Sequence, residues 1–343
     1  MRKTVVLIVA LMCTKPALAA PPGLLDTDIP GNFAYPAPPA GFDPLKATAE
    51  TLRAYGFPPR PSGARSHRAY DGWARMVSSA KIWVSPQLVP APIHHVPMKP
   101  GKAMQPSGNM SYSTNWSGTI LTTGATALGA SSLYTLWGEF PVPIAQQAFG
   151  TCTGTVYSST WVGMDGNNNG ADIVQSGTES DASCSNGNTF ADYYAWYEWY
   201  PANTIEIRNF PVLPGDDIGV QAGVSNPTTA SIFMANETTN QYFTVQMNAP
   251  AGIKFIGNSA EWIVERPEVN KQTSNLANYV TDWISNMIAL LDNGSNTLEF
   301  GGIGGPGVSP VLVEMTDKNG NALSVPTNPG GGGIVFHDTG SAK

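Results

Sequence analysis

The chain has 343 residues, 42% hydrophobic and only 13% charged, which is long enough for one large domain or two ordinary ones and too apolar for a disordered protein. Eighteen Lys and Arg against 25 Asp and Glu give a net charge of -7. No basic stripe offsets that balance, so a nucleic-acid partner is excluded. In chain order, Arg2 and Lys3 precede an apolar run from Thr4 to Met12, and Ala17-Leu18-Ala19 follows. This pattern predicts an export signal over residues 1–19, its apolar run being too short to span a bilayer. Leu11-Met12 lacks the small residue that a lipoprotein site at Cys13 would need before it. A secreted protein, extracellular or periplasmic and free of the membrane after cleavage, is expected.

Residues 20–110 carry nine basic and five acidic side chains, net +4, whereas residues 111–343 carry six basic and 20 acidic ones, net -14. The basic segment is Pro-rich, with Pro36, Pro38, Pro39, Pro58, Pro59, Pro61, Pro97 and Pro100, and its short apolar stretches could not form a core alone. It reads as a propeptide that docks on the acidic remainder and inhibits it. Two helices are predicted within it. One has Asp43 as N-cap and Pro44 at its first position, ahead of Leu45, Ala49 and Leu52; the other carries Trp73, Met76, Val77 and Ala80 at helical spacing.

From Ser111 the texture changes to short apolar and aromatic runs separated by Gly, Asn, Ser and Pro. They include 132–142, 159–164, 171–175, 193–200, 218–224, 242–247 and 261–265, a spacing that predicts one all-β sandwich domain over residues 111–343. One segment departs from this. Leu276, Tyr279, Val280, Trp283, Ile284, Met287, Ile288 and Leu291 repeat at helical spacing, with Ser274 or Asn275 as N-cap and Asn293-Gly294 after the end, so one helix is predicted over residues 274–291. The glycine runs 301–307 and 330–333 read as turns between late strands.

Subtraction narrows the chemistry. After residue 110 the chain holds one histidine, His337, and two cysteines, Cys152 and Cys184. A zinc site, a serine triad or a cysteine nucleophile with its base is not expected; the two cysteines read as a disulfide, and no metal or cofactor is implied. Asp338-Thr339-Gly340 spells an aspartic-peptidase triplet once only, where two carboxylates would be needed. The strand Ala260 to Glu265 puts Glu261 and Glu265 on one face, but i to i+4 along a strand is roughly 13 Å. That is too far for a glycosidase pair, which needs at most about 9.5 Å. A partner must come from another strand, and Gln175 and Glu198 are the candidates.

Five stretches taken in order, Asn115-Trp116-Ser117-Gly118, Trp161 to Gly166, Val174 to Gly177, Ala195 to Pro201 and Ala260 to Glu265, resemble the motifs of the glutamic peptidases, or eqolisins. The resemblance covers roughly residues 111 to 266. It implies a β-sandwich of two bent antiparallel sheets, lectin-like in its folding class, and synthesis as a signal and propeptide precursor. It also implies pepstatin-insensitive endopeptidase activity in acid, on protein substrates, through a Gln and Glu dyad. By motif the Gln is Gln175, and the Glu is Glu261, with Glu265 in reserve. Asn115, Trp116, Trp161, Asp165 and Glu198 match positions that line or support the cleft. The chain departs from the fungal pattern at Asn167-Asn168-Asn169 and at Arg266-Pro267. Direct water attack suits these groups: a Glu can accept a proton and return it, and an amide donates to an oxyanion without titrating. Trp and Tyr clusters beside carboxylates also suit sugar rings, so a secreted β-sandwich glycosidase or carbohydrate-binding protein is the alternative. A monomer is expected.

Overall fold

The computed structural model describes residues 20–61, 67–108, 110–129, 131–152, 154–167, 171–292, 297–299, 310–328 and 332–340. The expected export signal over 1–19, Asn168, Asn169, the residues Asn293-Gly294 and the run 301–307 lie outside the described residues. Among those described, no helix is long and apolar enough to cross a membrane.

The N-terminal segment comprises β1 (Leu25–Asp26), β2 (Asn32–Ala34), α1 (Ala49–Ala54), α2 (His67–Ser79), β3 (Ile82–Trp83), β4 (Leu88–Pro90) and β5 (Ile93–His94). Both expected helices exist, but the first starts later than Asp43. Thr48 is its N-cap, accepting from the Thr51 N–H, while Asp43 closes a separate turn by accepting from the Leu45 N–H. In α2 the spacing of Trp73, Met76 and Val77 produces one fully buried face.

The sandwich follows, with β6 (Met110–Ser113), β7 (Trp116–Thr122), β8 (Ser132–Pro141), β9 (Gly154–Val156), β10 (Ser159–Met164), β11 (Ile173–Ser185), β12 (Asn188–Tyr200) and β13 (Ile205–Ile207). Then come β14 (Asp217–Asn226), β15 (Thr229–Asn236), β16 (Gln241–Asn248), β17 (Ser259–Glu265), β18 (Glu268–Val269), β19 (Gln272–Thr273), β20 (Thr281–Asp292), β21 (Thr297–Glu299), β22 (Val311–Thr316), β23 (Ala322–Thr327) and β24 (Ile334–Asp338). One sheet runs β2-β16-β15-β14-β8-β20, antiparallel throughout. The other runs β13-β12-β11-β10-β17-β7-β22, also antiparallel, and β4 extends it beyond β13. Between them lies the main core, to which the second sheet contributes Val162, Met164, Val174, Tyr197, Trp199, Trp262 and Val264 and the first Phe140, Val220, Ile232 and Phe243. Period-two alternation then turns Trp161, Trp196, Gln175, Glu198, Glu261, Ile263 and Glu265 to the opposite face of the second sheet.

Residues 274–291 form no helix. Their apolar stretch is mostly β20, whose first half pairs with β24 and whose second half pairs with β8, so that the strand passes from one sheet to the other. Its register shifts between Ser285 and Ile288, where Asn286 has φ 52°. Beyond this bulge both faces are buried: Met287 and Ala289 enter the main core, while Ile288 and Leu290 pack under Trp73, Met76 and Val77 of α2. A strand apolar on both faces loses its alternation and imitates helical spacing.

The N-terminal segment therefore covers two surfaces. Its helices close the outer face of the first sheet, and residues 91–99 cross the outer face of the second. Among the described residues, its basic side chains reach carboxylates beyond residue 110 through Arg75 to Glu139 and Lys99 to Glu268. Strand pairing, apolar packing and hydrogen bonds to residues 91–99 hold the rest. Cys152 and Cys184 are joined, their sulfurs 2.04 Å apart, fastening the segment before β9 to the end of β11.

Candidate active site

The outer face of the second sheet is read row by row from its registers. Gly163 of β10 is opposite both Gln175 of β11 and Glu261 of β17, and Gln175 is in turn opposite Glu198 of β12. In the next row Trp161 lies between Gly177 and Ile263, with Trp196 beyond Gly177. Ser159 lies between Glu179 and Glu265, and Trp116 of β7 is opposite Glu265. Directly paired residues share a face, so four glutamates, one glutamine and three tryptophans project to one side. Each of these glutamates is completely buried. A Cβ at Gly163 would come within 2.9 Å of the Gln175 Cβ, so glycine leaves the centre of the face open for the side chains around it.

Across this face lies the strand of residues 91–99. It is fixed at one end by the Ala91 N–H on the Thr204 carbonyl (2.8 Å) and by β5 pairing with β18. At the other end the Met98 N–H donates to the Gly166 carbonyl (3.2 Å) and the Lys99 N–H to Asn115 Oδ1 (2.8 Å). Between these anchors one peptide bond, His95 to Val96, is held at both ends. Gln175 Nε2 donates to the His95 carbonyl at 2.7 Å, and the Val96 N–H donates to Glu265 Oε1 at 3.2 Å. Asn115 Nδ2 donates to the same Glu265 oxygen (3.2 Å) and Trp161 Nε1 to the other (2.9 Å). Trp116 packs edge-on against Trp161 with ring centroids 5.0 Å apart.

The His95 ring stacks on Trp196, with centroids 3.5 Å apart and planes 1° from parallel. Its Nε2 meets Glu179 Oε1 at 2.5 Å, and its Nδ1 and backbone N–H meet Glu198 Oε2 at 3.2 and 2.9 Å. His94 Nδ1 lies 3.2 Å from the other Glu198 oxygen. Burial alone would raise Glu198, but these hydrogen bonds from His94 and His95 outweigh it and hold the carboxyl below its usual range. Burial lowers His95, which the Glu198 contact opposes, and raises Glu179 well above its usual value, with Asp181 adding to the rise. Burial thus pushes both His95 and Glu179 toward their uncharged forms, while the hydrogen bonds from the two histidines hold Glu198 toward its ionised form. Burial likewise raises Glu265 well above its usual range, opposed by its bonds from Val96, Asn115 and Trp161.

Of the residues expected from sequence, Asn115, Trp116, Trp161, Gln175, Glu198, Glu261 and Glu265 share this face or its edge. Glu261, the motif's first choice, makes no hydrogen bond with the strand: neither of its oxygens has a partner, and the Ser259 hydroxyl and Gly166 N–H lie nearby outside bonding geometry. Burial raises it well above its usual range, and Asp165 adds to the rise. Asp165 is off the face; at φ 77° it ends β10 and accepts from the N–H groups of Ile256, Gly257 and Asn258, holding the approach to β17. Sequence reasoning missed Glu179, Trp196, His94 and His95. Period two from Gln175 reaches Glu179, and period two from Glu198 reaches Trp196; the adjacent histidines carried no strand or helix pattern.

The fold and the site are thus those of an antiparallel sandwich whose buried amide and carboxylate bracket one peptide bond. Residues 114–324 match the model of the peptidase A4 family, and the chain belongs to that family. It is 30% identical over 173 residues to aspergillopepsin-2 of Aspergillus niger and 27% identical over 154 residues to scytalidopepsin B of Scytalidium lignicola. Those matches cover 46% and 44% of this chain and 57% and 51% of the relatives, so the chain spans little more than half the length of the curated proteins it matches. The crystal structure of scytalido-glutamic peptidase with a transition state analog inhibitor superposes with a TM-score of 0.52 at 20% identity, over 66% of this chain and 98% of that one, which shows the shared fold.

Proposed function

We propose that the chain is a secreted glutamic endopeptidase, made as an inhibited precursor, that hydrolyses peptide bonds by direct water attack in acid. The observation that carries this reading is the His95 to Val96 bond lying between Gln175 Nε2 and Glu265 Oε1. An amide donor on the carbonyl oxygen stabilises the charge that develops there when water adds to the carbon. A carboxyl beside the leaving nitrogen can take a proton from water and return it to nitrogen. The geometry favours Glu265 over Glu261 for that role, with Trp161 and Asn115 orienting its carboxylate.

In the covered cleft, burial holds Glu265 above its usual range. When the strand leaves and water enters, the carboxyl relaxes toward its reference value of about 4.3, which fits turnover in acid. Residues 91–96 cover the site completely and support the inhibitor reading of the N-terminal segment. The test is hydrolysis of casein and of a polysaccharide, each in acid, by the purified chain. Casein cleavage insensitive to pepstatin and to chelators is expected; polysaccharide cleavage without proteolysis would favour the glycosidase.

A further inference from the structure

We propose that the His95 to Val96 bond is cut by the chain itself, intramolecularly, so that the strand lying in the cleft is its first substrate and Val96 becomes a new amino terminus. The proposal rests on the peptidase reading above and names the bond on which it acts first. Three features of the geometry point to this bond. Its carbonyl faces the amide donor and its nitrogen faces the carboxyl, while no hydrogen bond of Gln175 or Glu265 reaches the next peptide bond on either side. The residue before the bond is locked by its side chain, through the Trp196 stack and the contacts to Glu179 and Glu198. The residues after it are locked by the backbone, since Asn115 Nδ2 donates to the Val96 carbonyl at 3.2 Å and Met98 and Lys99 continue the register.

The step balances with water as co-reactant. It starts from the ionised form of Glu265, which its bonds from Val96, Asn115 and Trp161 favour against burial. The water oxygen bonds to the His95 carbonyl carbon while one water proton passes to Glu265, and the carbonyl oxygen takes negative charge under Gln175 Nε2. As that carbon becomes tetrahedral, the Val96 nitrogen turns pyramidal and its lone pair accepts the proton held by Glu265. The carbon–nitrogen bond breaks as the carbonyl re-forms, and a carboxyl at His95 and an amine at Val96 result. Because strand and site belong to one chain, the reaction needs no encounter and its rate constant is independent of chain concentration. The new carboxylate would stand beside Glu198 and Glu265, and like charges in a buried site repel, so the cut weakens the hold on the segment ending at His95.

The full chain is incubated at about pH 4, near the Glu reference value, over a wide range of concentrations, and the products are read by amino-terminal sequencing and intact mass while casein hydrolysis is followed in parallel. A fragment beginning at Val96 is expected, appearing with the same first-order rate constant at every concentration and forming at least about 100-fold more slowly in Gln175→Ala and in Glu265→Gln. Casein hydrolysis with no fragment beginning at Val96 would overturn the proposal and leave the peptidase reading standing, as would a rate that scales with concentration. Loss of both casein hydrolysis and self-cleavage in the wild-type chain would overturn the two together.

Discussion

At Glu261 and Glu265 the same residue type, four positions apart on one strand face, meets two different surroundings. Glu265 accepts from Val96, Asn115 and Trp161, whereas neither oxygen of Glu261 has a partner. A buried carboxyl without partners is kept in its protonated form by desolvation, and a proton held that way is not exchanged with substrate. Glu265→Gln is therefore expected to lower kcat by about 10²- to 10⁴-fold, the usual contribution of a general acid and base. Gln175→Ala should lower it by about 10²- to 10³-fold, as loss of one oxyanion donor does. Glu261→Gln should leave kcat nearly unchanged and raise the thermal midpoint at neutral pH, where the wild-type fold resists ionising that carboxyl. Peptide turnover and thermal unfolding of the three variants check this, and full activity in Glu265→Gln with loss in Glu261→Gln would reverse the roles. The five motif stretches located this face, because each lies on one of its strands or at its edge. They could not separate two glutamates on one strand, since the difference lies in the tertiary partners that Val96 of the Pro-rich segment and Asn115 and Trp161 of the sandwich bring to Glu265 alone.

Among the elements, β20 and α2 explain one another. The stretch from Trp283 to Leu291 looks helical in sequence because α2 covers the face that an ordinary edge strand would give to water, and the covering residues lie more than 200 positions earlier. No local pattern reports such a partner, whereas the strands around the candidate site alternated clearly and were legible. The same pairing makes the N-terminal segment part of the folded protein rather than a tether. Trp73 is fully buried and its Nε1 donates to the Pro58 carbonyl. Trp73→Ala should cost about 3 to 5 kcal/mol, as for large aromatic truncations in cores. The measurement is denaturant unfolding in the Glu265→Gln background, where the chain stays whole. An unchanged midpoint would mean that α2 contributes nothing to the sandwich.

Over the whole molecule, the buried carboxyls decide how stability follows pH. Burial pushes Asp172 up to about 6, Asp181 and Asp282 to about 7 and Glu237 to about 8. It raises Glu139 against the pull of Arg75, and raises Glu179, Glu261 and Glu265 well above their usual range. For each of these groups the folded state binds its proton more tightly than the unfolded chain, whose carboxyls titrate near about 4. Their contribution to stability is complete below that value and is lost as pH rises through the folded values, from roughly 4 toward 8. Glu198, held low by His94 and His95, and His95, held low by burial, act in the opposite direction. So do Asp317, held at about 2 by its hydrogen bonds from Asn321, and Asp43, held low by Lys46, whereas Asp165, Asp338 and Glu314, raised by burial, and His94, raised by Glu198, join the majority. Self-repulsion adds to the majority, because the -14 of residues 111–343 is removed as carboxylates take up protons while their six basic side chains limit the positive charge that replaces it. The thermal midpoint of the Glu265→Gln chain should therefore rise as pH falls from neutral toward about 4, the reverse of ordinary acid denaturation. Repeating the scan in high salt separates the two causes, since salt screens surface repulsion and leaves the desolvation of buried carboxyls in place. A midpoint that rises in low salt only would assign the effect to net charge, and one that falls in acid at both salt levels would show that the latch formed by His95 and Glu198 outweighs the buried carboxyls.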